Sequence, residues 1–289
     1  MNILVTGCNG QLGKELQKIS NISIEHNWIF TDIDTLNICD KTSVNIFFDN
    51  NIIDVCINCA AYTAVDKAED DEVNAKDINA NAVSHLAEAC KKTDTLLIHI
   101  STDYVFDGNA ERAYVENDTI SPNCVYGKTK AEGESNIINS GCSYIIIRTS
   151  WLYSSYGNNF VKTMLNLGRN KESVNVVYDQ NGNPTWAFDL ANAIMILIQR
   201  NGTNKIQEIF NYSNDGVIPW SNFAEAIFAI SNINCKVIPV STKEYGSKAN
   251  RPSFSALDKS KIKEFTGIKI PFWRDSLIKC IDEINNNNN

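Results

Sequence analysis

A second Cys-x-x-Cys pair is missing beside the single one, Cys56 and Cys59, among the nine cysteines of this 289-residue chain, and their count is odd. Such scatter builds neither a disulfide framework nor a thiolate zinc site. The cysteines read instead as small core residues in a reducing compartment. No apolar run reaches the roughly 20 residues that a membrane-spanning helix needs. The N-terminus reads as a strand rather than a charged and then apolar leader, so a soluble cytoplasmic protein is the expectation. Basic excess is missing too: the formal net charge is −8 and the pI about 5.0, against the positive footprint of a nucleic-acid binder. No repeat or linker marks off a second domain. Acidic residues crowd the segment 66–77, which reads as a solvated helix face and loop. The closing asparagine run 285–289 reads as a frayed tail.

With 43% apolar residues the chain can bury one large core, or a main core and a lobe. Short β-branched runs at 3–6, 28–31, 55–59, 96–101 and 144–148 alternate with helical patterns at 11–19, 41–50, 78–92 and 125–139. Strands apolar on both faces and joined by helices predict a parallel sheet. Beyond Trp151 the pattern is less regular, with helices expected at 159–167, 189–199 and 221–230 and strands at 174–178, 209–212 and 236–240. This later part is expected to form a smaller lobe over the strand ends, where such sheets bind ligands.

Four segments carry candidate chemistry. Tyr126 and Lys130 are four residues apart, so on a helix they share a face, where a lysine charge favours phenolate and lowers the tyrosine pKa. The same spacing also occurs by chance on surface helices. The chain opens with an apolar strand and then Gly7, Gly10 and Gly13 at Gly-x-x-Gly-x-x-Gly spacing before a helix. That turn can bring backbone N–H groups up to a pyrophosphate, or can be an ordinary strand-to-helix turn. Asp32 follows the second apolar run, where an acid can bind the adenosine ribose and repel a 2′-phosphate, favouring NADH. A turn-capping role and the rival Asp34 remain open. Ala60-Ala61-Tyr62-Thr63 and Ser101-Thr102-Asp103-Tyr104 end the third and fourth strands. The Ser101 and Thr102 hydroxyls are expected to project into the crevice with Tyr126, though such residues also form turns.

Gly7 to Gly13, Ser101 to Tyr104 and Tyr126 to Lys130 resemble the extended short-chain dehydrogenase/reductase superfamily. The stretches 10–13, 58–69, 101–108, 126–130, 148–151 and 179–185 and the pair Arg251-Pro252 together resemble the dTDP-4-dehydrorhamnose reductase family over almost the whole chain. The resemblance implies an α/β, Rossmann-like doubly wound parallel sheet with a smaller C-terminal α/β substrate lobe. Residues 1–150 would bind NAD(P), and 151–289 mainly substrate, with some segments returning to the first domain. It implies reduction of the C4 ketone of dTDP-4-dehydro-β-L-rhamnose by NADH or NADPH. Tyr126 would protonate the C4 alkoxide, Lys130 would hold the nicotinamide ribose and Thr102 would polarise the ketone. Gly7, Gly10, Gln11 and Leu12 would meet the pyrophosphate, and Ala61, Tyr62 and Thr63 would line the cofactor channel. Asp103, Tyr104 and Trp151 would contact the deoxysugar, and Arg251 the nucleotide diphosphate.

Where the family often has Leu-Asp-Ile near the adenine, this chain has Leu36-Asn37-Ile38, which weakens that contact and the NADH preference. Some members dimerise around magnesium. Glu15 matches one ligand, but Phe188 and Arg274 stand at the others, so no metal and a monomer or weak homodimer are expected. Two other functions compete. A nucleotide-sugar dehydratase or epimerase shares the scaffold, although Tyr104 after Asp103 disfavours dehydration. A non-catalytic NAD(P)-binding regulatory subunit, like that of methionine adenosyltransferase, is the other.

Overall fold

Alternation inside each apolar strand decides the architecture of the computed structural model, which describes residues 1–202 and 204–286. In β1 (Asn2–Thr6), Ile3 and Val5 join one core cluster and Leu4 another. After β2 (Asn27–Phe30), the strands β3 (Val55–Asn58), β4 (Leu96–Thr102) and β5 (Ser143–Thr149) repeat this division: Val55, Ile98 and Ile147 face one way, Cys56, Leu97 and Ile146 the other. A strand buried on both faces needs helices on both. Gln11–Ser20 and Ala187–Asn201 cover the first face, while Lys41–Asn50, Ala82–Thr93 and Val125–Ser140 cover the second.

The sheet has six strands, all parallel, in the order Gln207–Asn211, β5, β4, β3, β1, β2. Chain order reverses between β1 and β3, so the crevice for a ligand opens at the carboxyl ends of those strands. The strand expected at 209–212 belongs to this sheet and not to the lobe. Ile209 pairs with Ile146, and Phe210 enters the sheet core. The lobe has its own core, with Val161, Leu165, Phe223, Ile227 and Leu277 packed around the parallel pair Ser173–Val177 and Lys236–Val240. The helix expected at 78–92 starts earlier, at Glu72, and runs through a π-turn at Asp77–Asn81. The expected tail is helical through Asn286, and 287–289 lie outside the described residues. Among the described residues no helix is long and apolar enough to cross a membrane.

The helix Val125–Ser140 is fixed to the sheet by a buried ion pair. Arg148 of β5 donates to Glu134 through Nη2 at 2.7 Å and Nε at 3.0 Å, and both residues are about 1% exposed. Ser101 donates to the same carboxylate at 2.5 Å, and Arg148 Nη1 reaches the Glu116 carbonyl at 2.9 Å. Near its start the helix meets the turn after β4 so closely that a Cβ on Gly127 would lie 2.3 Å from the Tyr104 carbonyl oxygen.

Removing one partner of such a pair leaves an uncompensated buried charge, at a cost of about 3–5 kcal/mol. Arg148→Leu is expected to lose stability of that order in urea unfolding, and the double variant Glu134→Leu/Arg148→Leu to recover most of it. A single-variant loss below about 1 kcal/mol would show that the pair does not anchor the helix.

Candidate active site

Gly7 turns the chain out of β1 at φ +64°, and a Cβ there would sit 2.6 Å from the Ala60 nitrogen. Only glycine lets the loop lie against the end of β3. Gly10 then caps the helix Gln11–Ser20 without a side-chain bond, and no acid stands in the first turn. A helix opening with uncapped N–H groups and no negative charge fits a pyrophosphate. Leu12 is buried in the core, so its backbone alone can serve; Gln11 accepts from Asn159 Nδ2 at 3.0 Å, tying the loop to the lobe. Asp32 braces the loop from the side. It accepts from the Asn9 N–H and the Ile33 N–H, both at 2.9 Å, while Asp34 is exposed.

Asn37 is exposed and Ile38 is buried in the core. Beyond β3, Ala61 and Tyr62 are half-buried and Thr63 is exposed. Asn79, on the π-turn, accepts from the Tyr62 N–H at 2.9 Å and donates to the Tyr62 carbonyl and the Thr129 hydroxyl, each at 3.1 Å.

Across the crevice, Thr102 ends β4. Its hydroxyl donates to Asp103 at 3.0 Å and accepts from the Tyr104 N–H at 3.2 Å. The Tyr126 ring meets Tyr104 edge-on, with centroids 5.6 Å apart. Burial pushes the Tyr126 phenol up, and a hydrogen bond with Thr102 opposes the shift. Lys130 donates to the Ile100 carbonyl at 2.6 Å and lies 3.2 Å from His99 Nε2; burial pushes its ammonium down to about 8. The expected lysine-lowered tyrosine is therefore wrong in sign. Although Tyr126 and Lys130 stand one helical turn apart, the Lys130 amine donates to the Ile100 carbonyl of β4, and desolvation is the largest influence on the phenol. Ser101 is corrected too, because its hydroxyl serves Glu134 and not the crevice.

Asp103 is 2% exposed, and burial lifts its carboxyl to about 6 against hydrogen bonds from Ser255 and Thr102. Arg251 reaches from the late loop to the Tyr104 hydroxyl at 3.2 Å and to Asp66 at 2.5 Å. Trp151, at φ +47°, stacks on Trp220 with centroids 3.5 Å apart. Tyr126, Thr102, Asp103, Tyr104 and Arg251 are thus linked through direct contacts, whereas Asn37 and Ile38 stand apart beyond β2. Sequence reasoning assigned no role to Asn58, Asn79, His99 or Glu134. The signal it passed over was a polar residue inside an apolar strand, as with His99 in Leu-Leu-Ile-His-Ile.

A glycine loop at the switch point of a parallel sheet, facing a phenol on the neighbouring helix, defines the class as Rossmann-like dinucleotide-dependent oxidoreductases. Within that class the chain belongs to the family described as RmlD substrate binding domain, whose model matches residues 1–286. It is 38% identical over 283 residues to a dTDP-4-dehydrorhamnose reductase of Aggregatibacter actinomycetemcomitans, covering 95% of this chain and 96% of that protein. Its structure is similar to that of a Clostridium acetobutylicum dTDP-4-dehydrorhamnose reductase, with TM-score 0.94, 41% identity, and 99% and 100% of the two chains covered. The Bacillus anthracis dTDP-4-dehydrorhamnose reductase, solved in complex with NADP, matches with TM-score 0.93 and 37% identity over 98% of this chain and 99% of that one.

An acid whose folded pKa lies above its unfolded value opposes folding when ionised. For Asp103 that penalty is complete above about pH 6 and fades as pH falls towards 3.8. Asp103→Asn is expected to unfold at higher urea than wild type at pH 8, by roughly 2–3 kcal/mol, with the difference shrinking towards pH 4. A pH-independent difference would contradict this assignment.

Proposed function

We propose that this chain reduces the C4 ketone of dTDP-4-dehydro-β-L-rhamnose with NADH or NADPH, giving dTDP-β-L-rhamnose. The reading rests on Thr102, at the end of β4, and Tyr126, on the neighbouring helix, being brought together through Tyr104, whose N–H donates to the Thr102 hydroxyl at 3.2 Å and whose ring meets that of Tyr126. The bound reduced nicotinamide supplies a hydride. Gly7, Gly10, Gln11 and Leu12 offer backbone to the pyrophosphate, and Ala61, Tyr62 and Thr63 line the approach. Asp32 meets the adenosine ribose, with Asn37 and Ile38 near the adenine. Tyr126, held protonated by burial, is the proton donor: the emerging alkoxide is a stronger base than the phenolate left behind. Thr102 donates to the same oxygen as charge grows on it. Lys130 lies one turn deeper and holds the ribose. Asp103 and Tyr104 orient the deoxysugar, Trp151 offers it a flat face stiffened by Trp220, and Arg251 meets the diphosphate while Asp66 fixes its reach.

In this reading residues 1–150 carry the cofactor and 151–289 mainly the substrate, with Gln207–Asn211 returning to the sheet. The enzyme works in the cytoplasm as a monomer or weak homodimer, without nucleic acid, membrane or metal.

Mixing the protein with NADPH or NADH and the keto-sugar is expected to give substrate-dependent loss of 340 nm absorbance and dTDP-L-rhamnose by NMR. Tyr126→Phe is expected to lower kcat by about 10²–10⁴-fold with KM changed little. A folded wild-type protein that turns over with neither cofactor would sink this reading.

A further inference from the structure

Thr6, Asn58 and His99 stand side by side in register across β1, β3 and β4, on the face covered by Val125–Ser140. All three are buried, and the row ends on Lys130. Its polarity is fixed from one end. Asn58 Oδ1 accepts from the Thr6 hydroxyl at 2.7 Å and from the Ala60 N–H at 3.1 Å. A backbone N–H can only donate, so the amide cannot be turned round, and Asn58 Nδ2 faces His99 Nδ1 at 3.1 Å. Nδ1 must then accept. A neutral imidazole has one proton, which leaves it on Nε2, aimed at Lys130 Nζ 3.2 Å away. An ammonium has no lone pair to receive it; an amine does, and still donates to the Ile100 carbonyl at 2.6 Å.

We propose that His99 is a positioning residue: held in one tautomer by Asn58, it turns its Nε2 proton on Lys130 and makes Lys130 an exchangeable proton carrier instead of a permanent cation. The ionisable group on the same helix that acts on Lys130 is Glu134, which favours the ammonium but is itself paired with Arg148 of β5; Asp103 acts on Tyr126. His99 stays neutral, held far below an ordinary imidazole first by burial and then by Lys130. The inference rests on Tyr126 as the proton donor. After each reduction the phenolate needs one proton back: the Lys130 ammonium gives it up, becomes the amine that His99 stabilises, and takes another from solvent. A lysine pushed down to about 8 makes both transfers near neutral pH, which an ordinary one near 10.4 does less readily.

The test follows Lys130 by NMR of the full chain labelled with 13Cε-lysine, its signal assigned by loss in Lys130→Met, beside the pH dependence of kcat. In wild type the signal is expected to titrate well below an ordinary lysine, and kcat to fall as pH rises through the same value. Asn58→Asp places an acceptor opposite Nδ1, moves the ring proton there and leaves the Nε2 lone pair facing Lys130. Both curves are expected to move up by about one pH unit or more. His99→Gln, whose carbonyl can accept from Asn58 and Lys130 alike, is expected to move them the same way and serves if Asn58→Asp does not fold. An ordinary lysine titration in wild type, or a folded variant whose curves stay within a few tenths of a unit, would overturn the proposal. Absence of turnover in every form would sink the reductase reading, and the NMR titration would still decide the role of His99.

Discussion

The Arg148–Glu134 pair sets where everything else in the site stands. A fully buried guanidinium and carboxylate are tolerated only when their remaining hydrogen-bonding positions are filled, and here Ser101 and the Glu116 carbonyl fill two of them. The directions of these bonds fix the helix Val125–Ser140 against β4 and β5 in both rotation and height. Tyr126 then emerges at the strand ends and Lys130 sinks one turn deeper, beside His99. The Tyr104 turn stops the helix from sliding, because the contact at Gly127 leaves no room for a side chain.

Desolvation is the common cause of the site's unusual acids. Tyr126 and Asp103 are pushed up and Lys130 is pushed down, each towards its neutral form. Of the three, Tyr126 stays neutral across the physiological range, while Asp103 at about 6 and Lys130 at about 8 change charge close to neutral pH. The cost falls on packing elsewhere, where the two faces of the sheet bury near-continuous aliphatic rows.

What could be read from the sequence was local. Apolar runs gave the first five strands, a glycine turn marked the switch point, and the four-residue spacing put Tyr126 and Lys130 on one face. What escaped depended on partners far along the chain: Glu134 with Arg148, Asn79 with Tyr62, Asn58 with His99. Gln207–Asn211 looked like part of the lobe because nothing in five residues says which sheet edge they will join. The Ser101 error was avoidable. Side chains alternate along a strand, so Ser101 had to face the same way as His99, towards the helix, while Thr102 could not.

Hydride delivery to the sugar is the claim on which the functional account stands, and isotope transfer tests it most directly. Single turnover with the keto-sugar and NADPH carrying deuterium at the transferable nicotinamide position, read by NMR of the sugar product, is predicted to put the label on C4 and to leave free oxidised cofactor. Product without deuterium at C4, or label retained on a cofactor that never leaves the protein, would contradict it.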